Sequence, residues 1–406
     1  DALFDDLAVE HYRYMEYLAF CRGKTPKVLE EYPSASSTLR DLATRLPGLS
    51  VNPALHAPLF LPESAMSAAL EFINACIARD VAKSRVLTSE DVTLYLNFLN
   101  RCLVKSAGPA LAAEALKSFI HLIERSPELL QDKTTSDAIL IRLRHFVAHT
   151  DIETRRRAAK LCGILVPSLA ADARVPFLDE FLASCQTQDR GVRLELQDGA
   201  LCASGYIVAS GVIPDADAVR ALKILIEMAS KVGRGASAEA TLAAVAAEAI
   251  GHASLRKLLP SAVVGDTLSA LCEVMKNTDP NVSKLAARAA GHIMLNDARE
   301  STTSVLLPSV LSMCEVKNDD AQFAIGEAIA CAWGGANVNA DKVLMTSFTT
   351  LNAEVKARAA EDAEASTSMD VDEVKSRVAN YVADADPRRH VHNAVVDAIF
   401  NQYIYS

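Results

Sequence analysis

Few residues of this chain stand at spacings that chemistry could use. Gly233-Arg234-Gly235 has the opening of a phosphate-binding loop, in which glycines let backbone amides close on an anion. No strand-like run precedes it and Ala238 stands where a third glycine belongs, so the segment is expected to be a helix-to-helix turn capped by Ser237. His145 and His149, four apart on a predicted helix, would share a face at the spacing of two metal-ligating imidazoles. No neighbouring Glu or Cys completes a coordination set, and Arg142 and Arg144 flank the pair, so no metal site is expected. Ser204-Gly205 and Ser210-Gly211 lack the preceding glycine of a nucleophile elbow. The many Asp and Glu residues read as exposed helix faces. No catalytic or cofactor-binding residue is assigned, and no partner-binding residue.

The elements that would position such groups come from a repeat. Ala246-Ala-Glu-Ala-Ile-Gly251-His252 returns forty residues later as Ala286-Ala-Arg-Ala-Ala-Gly291-His292. The unit opens on an acidic or amide residue, carries small residues seven and eight positions later, and has a glycine or other small residue at position twelve. Asp151 (Ala158, Ala159, Gly163), Glu239 (Ala246, Ala247, Gly251) and Asp279 (Ala286, Ala287, Gly291) fit it. Asp319 (Gly326, Glu327, Cys331) fits more loosely, and Asp189 starts a fifth copy that runs with an insertion to Gly205. The position-twelve residues 163, 205, 251, 291 and 331 are thus 42, 46, 40 and 40 apart, within the range of about 40–47 for HEAT and armadillo units.

Asp279, and Asp319 or Asp320, stand where an N-cap for the second helix of a hairpin is needed. Leu-Pro-Ser at 259–261 and 307–309, with Val166-Pro167-Ser168, reads as a repeated first-helix start, and Cys272-Glu-Val and Cys314-Glu-Val as a second echo. Ile139, Leu140, Leu143 and Phe146 recur at helical steps, with Arg142 and Arg144 expected on the other side; 221–228 is patterned alike. His252 and His292, one past the glycine, are expected to be structural. Trp333 is expected to cover a repeat junction. The fold expected is all-α, an α-α superhelix: a HEAT/armadillo-like, right-handed solenoid of antiparallel helical hairpins, about nine or ten across residues 1–406.

Composition narrows the function. Half of the 406 residues are hydrophobic but only 5% aromatic, a balance suited to layered helices. A formal net charge of −10 disfavours nucleic acid as a partner; Arg155-Arg156-Arg157 is expected to be a solvated face. No run of about eighteen apolar residues predicts membrane insertion. Nine cysteines without regular close spacing, several at apolar helix positions, suggest reduced thiols in an intracellular compartment; a cytoplasmic and nuclear location is expected. The chain opens on Asp1, as a piece of something larger would. Two stretches break the repeat: a proline-rich connection at 33–63, and an acidic insertion at 361–373 expected to be solvated.

Two segments resemble a known family. Asp198-Gly-Ala-Leu-Cys-Ala-Ser-Gly-Tyr-Ile-Val208 and Gln322-Phe-Ala-Ile-Gly-Glu-Ala-Ile329 are similar to helices of the proteasome adapter and scaffold family, very large HEAT-repeat proteins. Lys24-Thr25-Pro26 and Leu70–Cys76 are weaker matches in the expected order. The resemblance implies a partial fragment of a non-catalytic scaffold, without cofactors, that tethers the proteasome core particle to its regulatory particle. It also implies a part in proteasome assembly, quality control and ubiquitin-dependent degradation. A karyopherin-like transport receptor, or another HEAT-repeat interaction scaffold, shares the repeat physics and is the alternative. An all-α enzyme would need a convergent polar pocket that the sequence does not announce.

Overall fold

A computed structural model describes residues 32–336, apart from 47, 50, 52, 126–132, 187–193, 234, 256 and 298–299. Every regular element among the described residues is helical. The chain divides into two compact units at Arg174–Val175.

In the first unit three antiparallel hairpins follow one another: α1 (Ala35–Arg45) with α2 (Glu63–Ala82), α3 (Ser89–Cys102) with α4 (Pro109–Arg125), and α5 (Lys133–Val147) with α6 (Ile152–Leu165). The second helices α2, α4 and α6 pack in sequence order, each on the next. Helix α7 (Ala171–Gln186) carries the boundary. In the second unit α8 (Leu194–Ala209), α10 (Ala238–Ala253), α12 (Pro280–Asn296) and α14 (Asp319–Ala336) form the second-helix row. The first-helix row is α9 (Asp215–Ser230), α11 (Ser261–Met275) and α13 (Glu300–Ser312). The fold is therefore all-α, with hairpins stacked in repeat order within each unit.

Local sequence explains where the helices begin. Asp151, Ser237 and Asp279 cap α6, α10 and α12, each side chain accepting from an amide of the first turn. Pro214 and Pro260 stand immediately before α9 and α11, where a fixed φ suits the entry to a helix. Thr88 and Asp91 form a capping box at α3.

The position-twelve glycines then set how closely the second helices approach. A Cβ on Gly205 would lie 2.4 Å from the carbonyl oxygen of Ala249. On Gly251 it would lie 2.6 Å from the Cα of Ala289, and on Gly291 2.7 Å from the Cα of Ala328. Ordinary carbon contacts are about 3.5–4.0 Å, so each glycine admits the backbone of the next repeat where no side chain fits. Ala246, Ala247, Ala286 and Ala287 are fully buried around these crossings.

Several expectations need correction. Asn318, not Asp319 or Asp320, caps α14: its side-chain oxygen accepts from the amide of Ala321, and both aspartates lie in the first turn. The Leu-Pro-Ser echoes are not equivalent. Pro260 precedes α11, Pro308 lies inside α13, and Pro167 belongs to a 3-10 turn after α6. Their spacing of 48 residues (260 to 308) misses the 39-residue step between the starts of α11 and α13, Ser261 and Glu300. The connection expected at 33–63 contains α1, started by the Ser34 cap and held by buried Leu39 and Leu42, so the irregular part is 46–62.

Arg142 does not share the outer face with Arg144. It is buried and its guanidinium donates to the carbonyl of Pro53, while Ile141 is 57% exposed. Nor is Arg155-Arg156-Arg157 simply a solvated face. Arg155 is buried and donates to the carbonyls of His149 and Thr150, and Arg157 donates to that of Ala113 on α4. A guanidinium carries enough donors to satisfy stray loop carbonyls, which a run of three arginines does not disclose. The acidic insertion 361–373, Lys24-Thr25-Pro26, the Asp189 start and the side chain of Trp333 lie outside the described residues.

Candidate functional site

Two features have the make-up of a recognition surface. The first is a column on the second-helix row of the second unit. One position past each seam glycine stand Tyr206, His252 and His292. The close approach at the glycines brings these rings together: Tyr206 stacks on His252 at 4.2 Å between centroids and 18°, and His252 on His292 at 5.7 Å and 30°. The Tyr206 hydroxyl lies 3.3 Å from Nε2 of His252. Nδ1 of His292 is buried without a hydrogen-bond partner, and burial followed by the nearby charge of Arg288 pushes its pKa down to about 4. The two histidines stack on each other and on Tyr206 rather than simply bonding to the next helix. Tyr206 shares its repeat position with His252 and His292, whereas Ile164 and Ala332 occupy it in the flanking repeats.

Charged pairs join successive repeats. On the second-helix row Arg288 meets Glu327 at 2.9 Å and Lys284 meets Asp320 at 2.9 Å, and Arg220 of α9 meets Asp179 of α7 at 2.6 Å. Asparagines reach back the same way: Asn277 donates to the carbonyls of Gly233 and Gly235, and Asn296 to that of Ser254. Gly233-Arg-Gly235 is therefore the predicted turn, with Gly235 at φ +66°, Ser237 capping α10, and the carbonyls of both glycines accepting from Asn277. Phe323 of α14 is 43% exposed.

The second feature is a cavity of about 690 Å³ in the first unit, between the C-terminal end of α2, the loop 83–88, α3 and α4. Its floor is polar. The Tyr95 hydroxyl donates to the side-chain oxygen of Asn74, whose amide nitrogen donates to Ser118 at 3.0 Å and reaches Glu114 at 3.5 Å. Its walls and rim include Ile77, Val81, Val86 and Leu87. No spacing in the sequence points to it, because three separate helices and a loop supply its lining.

The residues considered for catalysis are not brought together. His149 lies beyond the end of α5 and its Nδ1 accepts from the amide of Asp151; burial, aided by Arg155 and opposed by Asp151, lowers its pKa. No group of three potential metal ligands occurs among the described residues. Ser204 donates to the carbonyl of Ala200 within α8. Burial raises the thiols of Cys185, to about 12, and Cys331, to about 11, which leaves both protonated at neutral pH. No described helix is long and apolar enough to cross a membrane.

Neither a protein-family model nor a curated protein sequence matches the chain. Among solved structures it is similar to three engineered proteins of the Northeast Structural Genomics Consortium. The first is 17% identical, covering 61% of this chain and 94% of its own, at a TM-score of 0.33. The second is 18% identical over 64% and 97% at 0.33, and the third 14% over 95% and 98% at 0.34. Likeness at these scores adds nothing to the fold read from the helices themselves.

Proposed function

We propose that this chain is part of a non-catalytic scaffold that binds the proteasome, holding core particle to regulatory particle and serving its assembly and quality control. The class rests on the architecture. Stacked hairpins offer a long side surface on which many modest contacts with another protein can add up. The proteasome as partner rests on the resemblance of Asp198–Val208 and Gln322–Ile329 to the adapter family.

One observation supports reading those segments as more than packing. They fall on α8 and α14, in the second-helix row, and the second of them places an aromatic ring in solvent at Phe323. Affinity purification of the tagged full-length parent protein tests the proposal. Core and regulatory subunits should co-purify, with crosslinks to this chain. Recovery of both particles at normal levels and in normal association when the parent is depleted, with no crosslinks to it, would refute the assignment.

A further inference from the structure

We propose that the cavity between α2, the 83–88 loop, α3 and α4 is a binding site for an extended peptide segment in which aliphatic side chains alternate with carboxylates. Volume and lining place it among ligand sites: about 690 Å³, inside the range of roughly 300–1,000 Å³ typical of such pockets, with apolar walls and a few convergent polar groups.

The apolar half of the argument is the loop. Val86 is 86% exposed and Val81 46% exposed, side by side with Leu87 at the mouth of the cavity. The loop is fixed in this conformation. Ser84 takes φ +54°, the amide of Arg85 donates to the carbonyl of Asp80 at 2.8 Å, and Thr88 is bound into the capping box of α3. A valine held at the rim of a preformed hollow is an anchor for another aliphatic side chain.

The charged half sets the sign of the ligand. Both carboxylates at the site are already matched. Asp80 accepts from Arg79 and from the amide of Ala35, each at 2.8 Å. Glu114 lies between Lys117 at 3.6 Å and Arg157 at 3.9 Å. Arg85 lines the cavity and its side chain has no partner among the described residues. The local balance is therefore positive in a chain whose net charge is −10, and a carboxylate is the group that completes it.

The backbone explains why the ligand is a peptide. The amides of Val86 and Leu87 make no internal hydrogen bond among the described residues. An extended main chain would meet them with its carbonyls while its side chains enter the hollow. The site does not depend on which large partner the scaffold holds, so it can stand or fall apart from the proteasome assignment.

The test is fluorescence polarisation with the full chain and three labelled hexapeptides: Asp-Leu-Glu-Val-Asp-Leu, its Asn/Gln counterpart and its Lys counterpart. The acidic peptide should bind saturably, at least about tenfold tighter than the amide form, with the Lys form weakest and the preference shrinking as salt rises. Val86→Asp and Arg85→Glu, both at exposed positions, should each weaken it about tenfold or more, with unchanged melting curves. Leu258→Asp, an exposed leucine of the second unit, should leave binding as it was. Equal binding of the three peptides, no saturation at millimolar concentration, or indifference to both variants would overturn the proposal. So would a photo-crosslinking amino acid in place of Val86 that reacts with residues 1–31 of the same chain and not with added peptide.

Discussion

Replacing Gly291 and Gly265 by alanine, one at a time, separates helix propensity from packing. In a helix interior, glycine to alanine gains about 0.8–1 kcal/mol from backbone entropy. Gly265, in the first-helix row, is exposed, and a Cβ added there would have nothing within 4 Å, so that gain should appear in full. At Gly291 the same methyl would lie 2.7 Å from the Cα and 3.2 Å from the Cβ of Ala328. Restoring ordinary contact requires α12 and α14 to part by roughly 1 Å. Both helices are closely packed along their length, and overpacking of this kind costs about 1–3 kcal/mol. A second loss follows as the neighbouring Arg288–Glu327 and Lys284–Asp320 pairs are pulled out of register. The expected net change is a loss of about 1–2 kcal/mol for Gly291→Ala against a gain of about 1 for Gly265→Ala. At about 2–4 °C per kcal/mol, the two variants should melt on opposite sides of the parent. A Gly291→Ala variant that melts at or above the parent temperature would refute the claim that the glycine is there for close approach.

Three further outcomes follow from described groups. His292 has its folded-state pKa lowered to about 4, below the ordinary value near 6.5, so its contribution is complete above that ordinary value. It is lost as pH falls from 6.5 towards 4, and between pH 7.5 and 5 the loss should be about 2 kcal/mol, seen in urea midpoints and absent in His292→Phe. Thr88→Ala should cost about 1 kcal/mol by removing the hydroxyl half of the α3 capping box, with the loss reported first by proteolysis near the 83–88 loop. Cys185, whose thiol burial raises to about 12, should resist thiol reagents in the native protein at pH 8, and label together with the other buried cysteines only when urea opens the helices.

Sequence reasoning read the second helices better than anything else, and the reason is physical. A backbone-to-backbone approach tolerates only glycine or alanine, so Gly251 and Gly291 repeat with the period of the structure and advertise it. First-helix positions accept any side chain that fills space, and there the echoes misled: Pro260 and Pro308 share a tripeptide but not a place. The burial of Arg142 and Arg155 depends on which carbonyls the fold leaves unpaired nearby, and no local pattern records that. The cavity in the first unit was invisible for a related reason. Asn74, Tyr95 and Ser118 acquire a common purpose only when three helices converge. Helix α1 was hidden by the prolines and serines around it, although Ser34 supplied its cap.

The seam glycines meet the next second helix, while Asn277, just past α11, and Asn296 of α12 reach back to the hairpin before. Among the described residues each hairpin of the second unit is thus latched to its neighbours. Pulled from one end, such a stack should let go one latch at a time, giving a saw-tooth of separate small ruptures in place of a single break. A scaffold made this way could shed strain at one joint and keep its grip at the others.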